Sequence, residues 1–264
     1  MKHDRLSAIR QMLYSSGSSS IEEIAEAVGA SPATIRRDLL ALESSGAVTR
    51  TRGGARIADS VGIEVAFQQR EQQNLSAKRA IADSAFEKLT PHCSIFLDAG
   101  TTVLQLARCI RLNPMPLSVF TNCVVTGQFL MDVPGIKVTL IGGTLRTENA
   151  SMVGSLAEDM LERLWFDQLF LGAGAVAPDA CIYSLDEAEA RLNEKMLARA
   201  SLKTLLVDSS KFGKRLTYRV AALSPEIEIV TDDGIDPSWE RRLRDVGCRP
   251  LLVSPQDSAR EAAR

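Results

Sequence analysis

Residues 31–39 read SPATIRRDL, and residues 49–56 read TRTRGGAR. The first stretch is typical of a helix start, because its serine can cap the first turn and its proline loses no hydrogen bond at the first helical position. The isoleucine and the leucines that follow recur at helical spacing, so the helix is expected to bury one side. Arg36 and Arg37 must then face outward or flank that buried side.

Two further helices and a hairpin are predicted around this stretch. A first helix is expected over residues 4–15, where apolar side chains share one face. Ser20 is expected to cap a second helix, and Gly29 stands where a left-handed residue would end it. Residues 47–50 and 55–57 are short enough to pair as a two-stranded wing around the glycine pair.

Residues 1–57 are therefore predicted to form a winged helix-turn-helix domain that binds double-stranded DNA. The N-terminal residues of the second helix of such a motif enter the major groove. One of Arg36 and Arg37 is then expected to bind guanine and the other a phosphate, while Thr34 contacts a phosphate or a base edge. The wing arginines would lie against the DNA backbone or in a minor groove, and the glycines would let the wing approach closely. The candidate DNA contacts are Ser31, Thr34, Arg36, Arg37, Arg50, Arg52, Gly53, Gly54 and Arg56.

The charge distribution agrees with this prediction, although the net charge of −2 does not. Residues 1–57 hold eight Lys and Arg against six Asp and Glu, whereas the remaining residues hold 23 against 27. Within residues 31–57 the count is five against two. A local basic excess indicates a nucleic-acid contact. The alternative is a small helical protein-interaction module with a solvated basic face.

Several other classes of protein are disfavoured by composition. The first residues form no apolar segment and no run is long enough to span a bilayer, so a cytoplasmic protein without membrane contact is expected. The five cysteines are scattered and are expected to be reduced and mostly buried. With only two histidines, neither a metal site nor a Ser-His-Asp triad is expected, and no cofactor is predicted.

The rest of the chain is predicted to form an α/β domain. Residues 58–75 are polar and rich in glutamine and are interpreted as a linker, after which Ser76 is expected to cap a helix. Residues 76–256 alternate between apolar runs and helical stretches, which predicts a mostly parallel sheet with helical crossovers. A capping box at residues 155–158 predicts a helix start, and residues 257–264 are expected to be a polar tail. The predicted strands are residues 94–98, 117–121, 136–141, 168–171, 204–207, 227–230 and 251–253.

Polar residues follow several of these strands and predict a pocket. Gly100 frees the backbone to fold around an anion, and Thr101 and Thr102 add hydroxyl groups at a helix start. Asp98 is expected to accept hydrogen bonds from sugar hydroxyls and Lys211 to neutralise a phosphate. Each strand end alone is compatible with ordinary turn chemistry, but four on one sheet edge favour a ligand site. The candidate residues are Asp98, Gly100, Thr101, Thr102, Thr121, Asn122, Gly142, Gly143, Glu187 and Lys211.

Two other motifs carry less weight. Residues 172–174 read GAG but lack the third glycine and the acidic partner of a dinucleotide site, so NAD binding is not expected. Glu187 and Glu189 stand at a predicted helix start, where the helix dipole favours carboxylates for structural reasons alone.

These motifs resemble those of the DeoR family of bacterial repressors across nearly the whole chain. Residues 34–39 and 50–55 are similar to the N-terminal signature of that family. The similarity continues at Phe67, Arg70 and Lys78 and at residues 98–102, 121–122, 142–145, 152–154 and 208–213.

The resemblance implies an effector domain with the fold of ribose-phosphate isomerase, with a phosphate near Gly100, Thr101 and Thr102. It also implies a repressor, usually dimeric or tetrameric, that a phosphorylated sugar or related metabolite releases from its operator.

The chain departs from the family pattern at several positions. A glycine common in the family is absent at residues 180–181, and Asn193 stands where the family often has a lysine, with Lys195 displaced from that position. The acidic catalytic motif of the isomerase would fall on residues 171–174, which contain no acid, so retained isomerase activity is not expected. The alternatives are a sugar-phosphate enzyme with an accessory DNA-binding domain and a regulator that needs no ligand.

Overall fold

The chain divides into two compact units, Met1–Val65 and Ala66–Arg264. The computed structural model describes residues 2–16, 18–44, 48–51, 53–57 and 65–255. Arg52, residues 58–64 of the predicted linker and the predicted tail at residues 257–264 lie outside these described residues.

The first unit contains three helices and a small antiparallel sheet. Its elements are α1 (Lys2–Ser16), β1 (Ser18–Ser20), α2 (Ile21–Val28), α3 (Pro32–Ser44), β2 (Val48–Thr51) and β3 (Gly54–Ile57). All three helices contribute to one apolar core, in which Ile9, Ile24 and Leu39 are fully buried. This arrangement confirms the predicted three helices and the apolar face of each.

The caps of α2 are those that the sequence predicted. The Ser20 backbone N–H donates to Glu23 Oε2 at 2.7 Å, and the Glu23 N–H donates to Ser20 Oγ at 3.2 Å, which forms a capping box. Gly29 ends the helix with a φ of 63°, a left-handed conformation that glycine adopts without a steric penalty.

The predicted pairing of the two wing strands is confirmed, since β2 pairs antiparallel with β3. The sheet also has a third strand that was not predicted, and its order is β1-β3-β2. The serine-rich stretch that suggested only a helix break contributes β1, and Ser19 pairs with Ala55 across the ladder. A run of three serines has no alternation of apolar and polar residues from which a strand could be predicted. This strand depends on backbone pairing with β3. Gly54 is required by this pairing, because a Cβ there would lie 2.2 Å from the Ser19 carbonyl oxygen.

The second unit is built on a seven-stranded sheet in which every neighbouring pair is parallel. The strands are β4 (Ser94–Leu97), β5 (Leu117–Thr121), β6 (Ile136–Leu140), β9 (Phe166–Leu171), β12 (Ala200–Leu206), β14 (Ile227–Asp232) and β15 (Pro250–Val253), in the order β15-β14-β12-β9-β4-β5-β6. All seven coincide with predicted strands, which confirms the α/β fold with a parallel sheet. At its centre, the rings of Phe96 and Phe166 pack 5.0 Å apart.

Helices precede these strands and connect most of them, as the alternating pattern predicted. They are α4 (Val65–Gln72), α5 (Leu75–Phe86), α6 (Thr101–Leu112), α7 (Val124–Leu130), α8 (Ser155–Glu162), α9 (Glu187–Ala198) and α10 (Pro237–Asp245). The linker predicted over residues 58–75 is described from Val65 onward, and there it consists mainly of α4.

Five antiparallel strands were not predicted. They are β7 (Thr144–Arg146), β8 (Ser151–Val153), β10 (Ala175–Ala177), β11 (Cys181–Ser184) and β13 (Tyr218–Ala222), which form a two-stranded and a three-stranded sheet. These strands have three to five residues each, too few for an alternating pattern to be recognised.

Two predicted caps are also wrong. Helix α5 begins at Leu75, before Ser76, and the amide of the preceding Asn74 donates to Asp208 Oδ1 at 2.9 Å instead of capping the helix. Helix α8 begins at Ser155 as expected, but Gly154 precedes it without a side-chain cap. The expected capping glutamate, Glu158, accepts a hydrogen bond from an arginine of α9 instead.

Candidate functional site

The first turn of α3 is fixed by the two hydroxyl residues of the predicted DNA-contact set. Ser31 Oγ accepts a hydrogen bond from the Thr34 N–H at 3.2 Å and lies 2.9 Å from Thr34 Oγ1. Ser31 is thus an N-cap, as its residue type predicted. Ser31 is exposed and Thr34 half-buried, so their outer surfaces remain accessible to a ligand.

The run Arg36-Arg37-Asp38 divides between the surface and the interior. Both arginines are exposed. Asp38 is buried, and its Oδ2 lies 2.6 Å from Nε of Arg5 on α1. A buried carboxylate with a close guanidinium fixes α3 against α1, which leaves the two arginines as the free basic groups on this part of α3.

The wing residues have different environments. Arg50 on β2 is exposed and lies 3.9 Å from Glu43, too far for a strong ion pair. Gly53 has a φ of 89°, and no atom of the described residues other than its chain neighbours lies within 4 Å of the position that a Cβ would occupy. Gly54, in contrast, is packed against β1, and the backbone of Arg56 pairs with β1 and β2.

The second unit contains a cavity of about 230 Å³ at the carboxyl ends of β4, β9 and β12. This is the edge of a parallel sheet at which ligands of open α/β folds bind. Five of the predicted pocket residues line it: Asp98, Gly100, Thr101, Thr102 and Lys211. Sequence reasoning from strand ends did not select six further lining residues, which are Phe67, Arg70, Asn149, Ser184, Glu189 and Asn193.

Asp98 is fully enclosed at the end of β4. Its Oδ2 accepts a hydrogen bond from the Gly172 N–H at 3.1 Å. Burial raises the pKa of Asp98 to about 7, and the nearby charge of Glu189 adds to the rise. The N–H groups of Ala99 and Gly172 and the side chain of Asn122 oppose that shift but do not cancel it.

A cationic cluster adjoins the same cavity. Arg70 and Lys211 line it, and, in addition to burial, the positive charges of both help to lower the pKa of the buried Lys78. Burial lowers the pKa of Lys78 to about 8, although Asp208 opposes that shift. Helix α6 begins beside these groups at Thr101, and Gly100 before it offers no side-chain cap. The first N–H groups of α6 and the cationic cluster together form an arrangement that favours an anion.

Thr121 and Asn122 lie behind the cavity instead of lining it. Thr121 Oγ1 donates to the Leu97 carbonyl oxygen at 2.6 Å and accepts from the Cys123 N–H at 3.0 Å. Asn122 is buried and hydrogen-bonds the Asp98 side chain. Both residues hold the end of β4, so they act on the cavity through Asp98.

Three other residues of the predicted pocket set lie elsewhere. At Gly142, no atom of the described residues other than its chain neighbours lies within 4 Å of the position that a Cβ would occupy, whereas a Cβ on Gly143 would lie 2.6 Å from the Val153 carbonyl oxygen. The φ of 145° at Gly143 also favours glycine. Neither glycine lines the cavity, and Glu187 lines a separate open groove with Glu158.

One face of α9 supplies polar groups that sequence reasoning missed or set aside. Glu189 accepts a hydrogen bond from Asn149 Nδ2 at 3.0 Å and another from Ser184 Oγ. Asn193 stands one turn further along α9 and is buried. The i, i+4 spacing of Glu189 and Asn193 was the signal that could have placed both on one face. Lys195 instead pairs with Glu162, outside the cavity.

Other classes of site are absent from the described residues. All five cysteines are free. No group of three or more His, Cys, Asp or Glu in the described ranges is placed to hold a metal ion. Among the helices of the described part of the chain, none is both long and apolar enough to cross a membrane.

Comparisons with known proteins identify the family. Residues 5–61 match the model of the DeoR-like helix-turn-helix domain, and residues 73–233 match that of the DeoR C terminal sensor domain. The chain belongs to the DeoR family of transcriptional regulators. This confirms the resemblance carried by the N-terminal motif and by the strand-end motifs.

Three DeoR relatives match over most of their length. The HTH-type transcriptional regulator GlpR of Haloferax volcanii is 36% identical, over 92% of this chain and 95% of the relative. The putative aga operon transcriptional repressor of Escherichia coli O157:H7 is 32% identical, over 95% and 93%. The lactose phosphotransferase system repressor of Staphylococcus aureus is 34% identical, over 88% and 92%. These names describe regulators, which supports the prediction that this DeoR protein is not an enzyme.

Among solved structures, the chain is similar to ribose 5-phosphate isomerase A from Methanocaldococcus jannaschii. The two share 18% identity with a TM-score of 0.40, over 55% of this chain and 57% of the isomerase.

Gly143→Ala in this DeoR protein is expected to lower the free energy of unfolding of the second unit by about 2 kcal/mol or more. The added Cβ meets the Val153 carbonyl oxygen, and the left-handed backbone is strained for alanine. Gly142→Ala, the matched control, is expected to change stability by less than about 0.5 kcal/mol. Urea unfolding followed by tryptophan fluorescence measures both, since Trp165 and Trp239 lie in this unit. Equal effects of the two substitutions would contradict the packing described for Gly143.

Asp98→Asn is expected to change how stability depends on pH. Because the pKa of Asp98 is raised in the folded state, its proton stabilises the fold at low pH, and that stabilisation is lost as the pH rises through about 7. Between pH 5 and pH 8 the stability of the variant relative to wild type should therefore rise by roughly 2 kcal/mol. Urea unfolding at several pH values measures this, with the exposed Glu194→Gln as control. A constant difference across this range would show that Asp98 does not titrate there.

Proposed function

We propose that the protein is a DNA-binding repressor of a carbohydrate-metabolism operon and that a phosphorylated sugar releases it from its operator. The observation that carries this proposal is the cavity at the strand ends of the second unit. It combines an uncapped helix start and two lining cations with buried carboxyl and amide groups. The helix start and the two cations suit a phosphate, and the carboxyl and amide groups suit sugar hydroxyls.

The relatives support the same class of regulated pathway. Two of them are named as repressors of an aga operon and of a lactose phosphotransferase system. In this chain, Thr101, Thr102 and Gly100 would contact the phosphate, with Arg70 and Lys211 neutralising its charge. Asp98 and Glu189 would accept hydrogen bonds from the sugar.

The DNA contact belongs to the first unit. Arg36 or Arg37 would bind a guanine edge and the other a phosphate, because both are exposed near the start of α3. Ser31, Thr34, Arg50, Arg52 and Arg56 would add contacts to the DNA backbone, and Gly53 would let the wing approach. A homodimer or homotetramer would present paired recognition helices to two operator half-sites, and sedimentation of the full chain measures that state.

The ligand would act on DNA binding through α4. Arg70 of α4 lines the cavity, and α4 is the first described element after residues 58–64, which lead from the DNA-binding unit. A ligand can shift the equilibrium between two arrangements only by binding one of them more tightly. Contact with α4 would supply that difference in affinity.

Arg37→Ala is expected to weaken operator binding by about 1–3 kcal/mol if Arg37 contacts a base, and to relax sequence preference. Fluorescence anisotropy on labelled DNA from the upstream region of the gene measures the affinity, and Arg36→Ala is compared in the same assay. The control is Arg241→Ala, which removes an exposed arginine of the second unit. Unchanged binding in both α3 variants would contradict the placement of α3 in the major groove.

Lys211→Ala is expected to bind the same DNA as wild type but to need at least about tenfold more sugar phosphate for release, because an ion pair with the phosphate is lost. The measurement adds sugar phosphates singly to the protein–DNA complex and follows anisotropy. Lys214→Ala is the matched control, since Lys214 is exposed and outside the cavity. If wild type and Lys211→Ala respond identically to an active compound, Lys211 does not neutralise its phosphate.

A further inference from the structure

The polar lining of the cavity falls into two groups of different charge. The cationic cluster of Arg70, Lys211 and the adjacent Lys78 forms the first. The second group contains two carboxyl groups, two amides and a hydroxyl. It consists of Asp98, Glu189, Asn149, Asn193 and Ser184. Among the described residues that line the cavity, the only cations are Arg70 and Lys211, so the second group has no lining cation of its own.

The carboxyl groups of the second group are already held by the protein. Glu189 accepts from Asn149 and Ser184 and lies 3.4 Å from Arg146 Nη1, and Asp98 accepts from the Gly172 N–H. Arg146 does not line the cavity. An anionic ligand group placed here would therefore meet two carboxyl groups and, among the described lining residues, no cation beside them, which is unfavourable in a low-dielectric site.

The side-chain oxygen of Asn193 indicates which ligand group the second group binds. Its side chain is 5% exposed, and Oδ1 is buried without a hydrogen-bond partner among the described residues. A buried acceptor without a partner costs about 1–3 kcal/mol. A ligand hydroxyl that donates to Oδ1 would remove that cost, whereas a carboxylate or phosphate oxygen cannot donate.

We propose that the cavity selects ligands with a single anionic group and a neutral, hydroxyl-bearing remainder, and that Asn193 makes the selection against a second anionic group. This inference rests on the proposed function, because it assumes that the cavity holds a sugar phosphate. It narrows the ligand class to monophosphates of neutral sugars or polyols and rejects bisphosphates and phosphorylated sugar acids. The cationic cluster and the start of α6 hold the phosphate, and Asn193, Glu189 and Asp98 contact the hydroxyl groups.

Pairs of compounds that differ in one anionic group at the end far from the shared phosphate test the selection. The pairs are glucose 6-phosphate with 6-phosphogluconate, fructose 6-phosphate with fructose 1,6-bisphosphate, and glycerol 3-phosphate with 3-phosphoglycerate. Titration calorimetry on the full chain measures each affinity. In any pair whose member with one anionic group binds, the member with two anionic groups is expected to bind at least about tenfold more weakly.

Asn193→Lys is expected to remove or reverse that preference, because it places a cation on the face of α9 that carries Glu189. Glu194→Gln is the matched control: it changes the charge of α9 by the same amount at an exposed neighbouring position and should keep the wild-type preference. If Asn193→Lys does not fold, the wild-type comparison of the pairs still tests the selection.

The outcomes separate this inference from the proposed function. Equal or tighter binding of the member with two anionic groups by wild type overturns the selection but leaves the proposed sugar-phosphate sensor intact. A preference that persists in a folded Asn193→Lys protein overturns the role of Asn193. If no compound of any pair binds or releases the protein from DNA, the proposed function fails as well.

Discussion

The buried carboxyl group of Asp98 is the constraint on which the cavity depends. The Asp98 N–H donates to the Phe170 carbonyl oxygen at 3.1 Å, and the side chain accepts from the Gly172 N–H, so one residue joins the ends of β4 and β9. This hydrogen bond requires the backbone at Gly172 to lie close to the segment from Asp98 to Gly100. A Cβ on Gly172 would lie 3.3 Å from both Asp98 Oδ2 and Gly100 Cα. Glycine at positions 100 and 172 is therefore a consequence of burying this carboxyl group, and it fixes where α6 begins.

The two units bury an aspartate in different ways, and the difference separates a structural group from one suited to a ligand. Asp38 in the first unit has the guanidinium of Arg5 at 2.6 Å, which neutralises its charge within the protein. Among the described residues, the hydrogen-bond partners of Asp98 are N–H groups and an amide, and Glu189 nearby raises its pKa further. None of these partners is a cation that balances the charge of Asp98, and a hydroxyl-bearing ligand can complete its hydrogen bonds.

The sequence predicted those features that a single segment determines. Each parallel strand is rich in apolar residues within one segment, and caps such as Ser20 depend on residues within one turn. Features set by pairing between distant segments were missed, as with Ser19, which belongs to a strand because Ala55 lies opposite it. The same limit applied to the cavity. Strand ends identified Asp98 and Lys211, but Asn193 comes from a helix face, and its orientation depends on how α9 packs. Gly143 was chosen for its residue type, and its structural reason is a close contact with Val153.

The elements around the cavity differ in how firmly they are held, which supports the proposal that α4 transmits ligand binding. The ends of β4 and β5 are joined by parallel ladders and by the buried hydrogen bond from Thr121 to Leu97. Helix α4 is held mainly by side chains, through the buried Phe67 and through a hydrogen bond from Arg70 to the Glu148 carbonyl oxygen at 2.8 Å. Contacts of this kind rearrange at lower free-energy cost than a buried ladder. A phosphate that binds Arg70 would compete with its bond to Glu148, so the ligand would act on the element nearest in sequence to the DNA-binding unit.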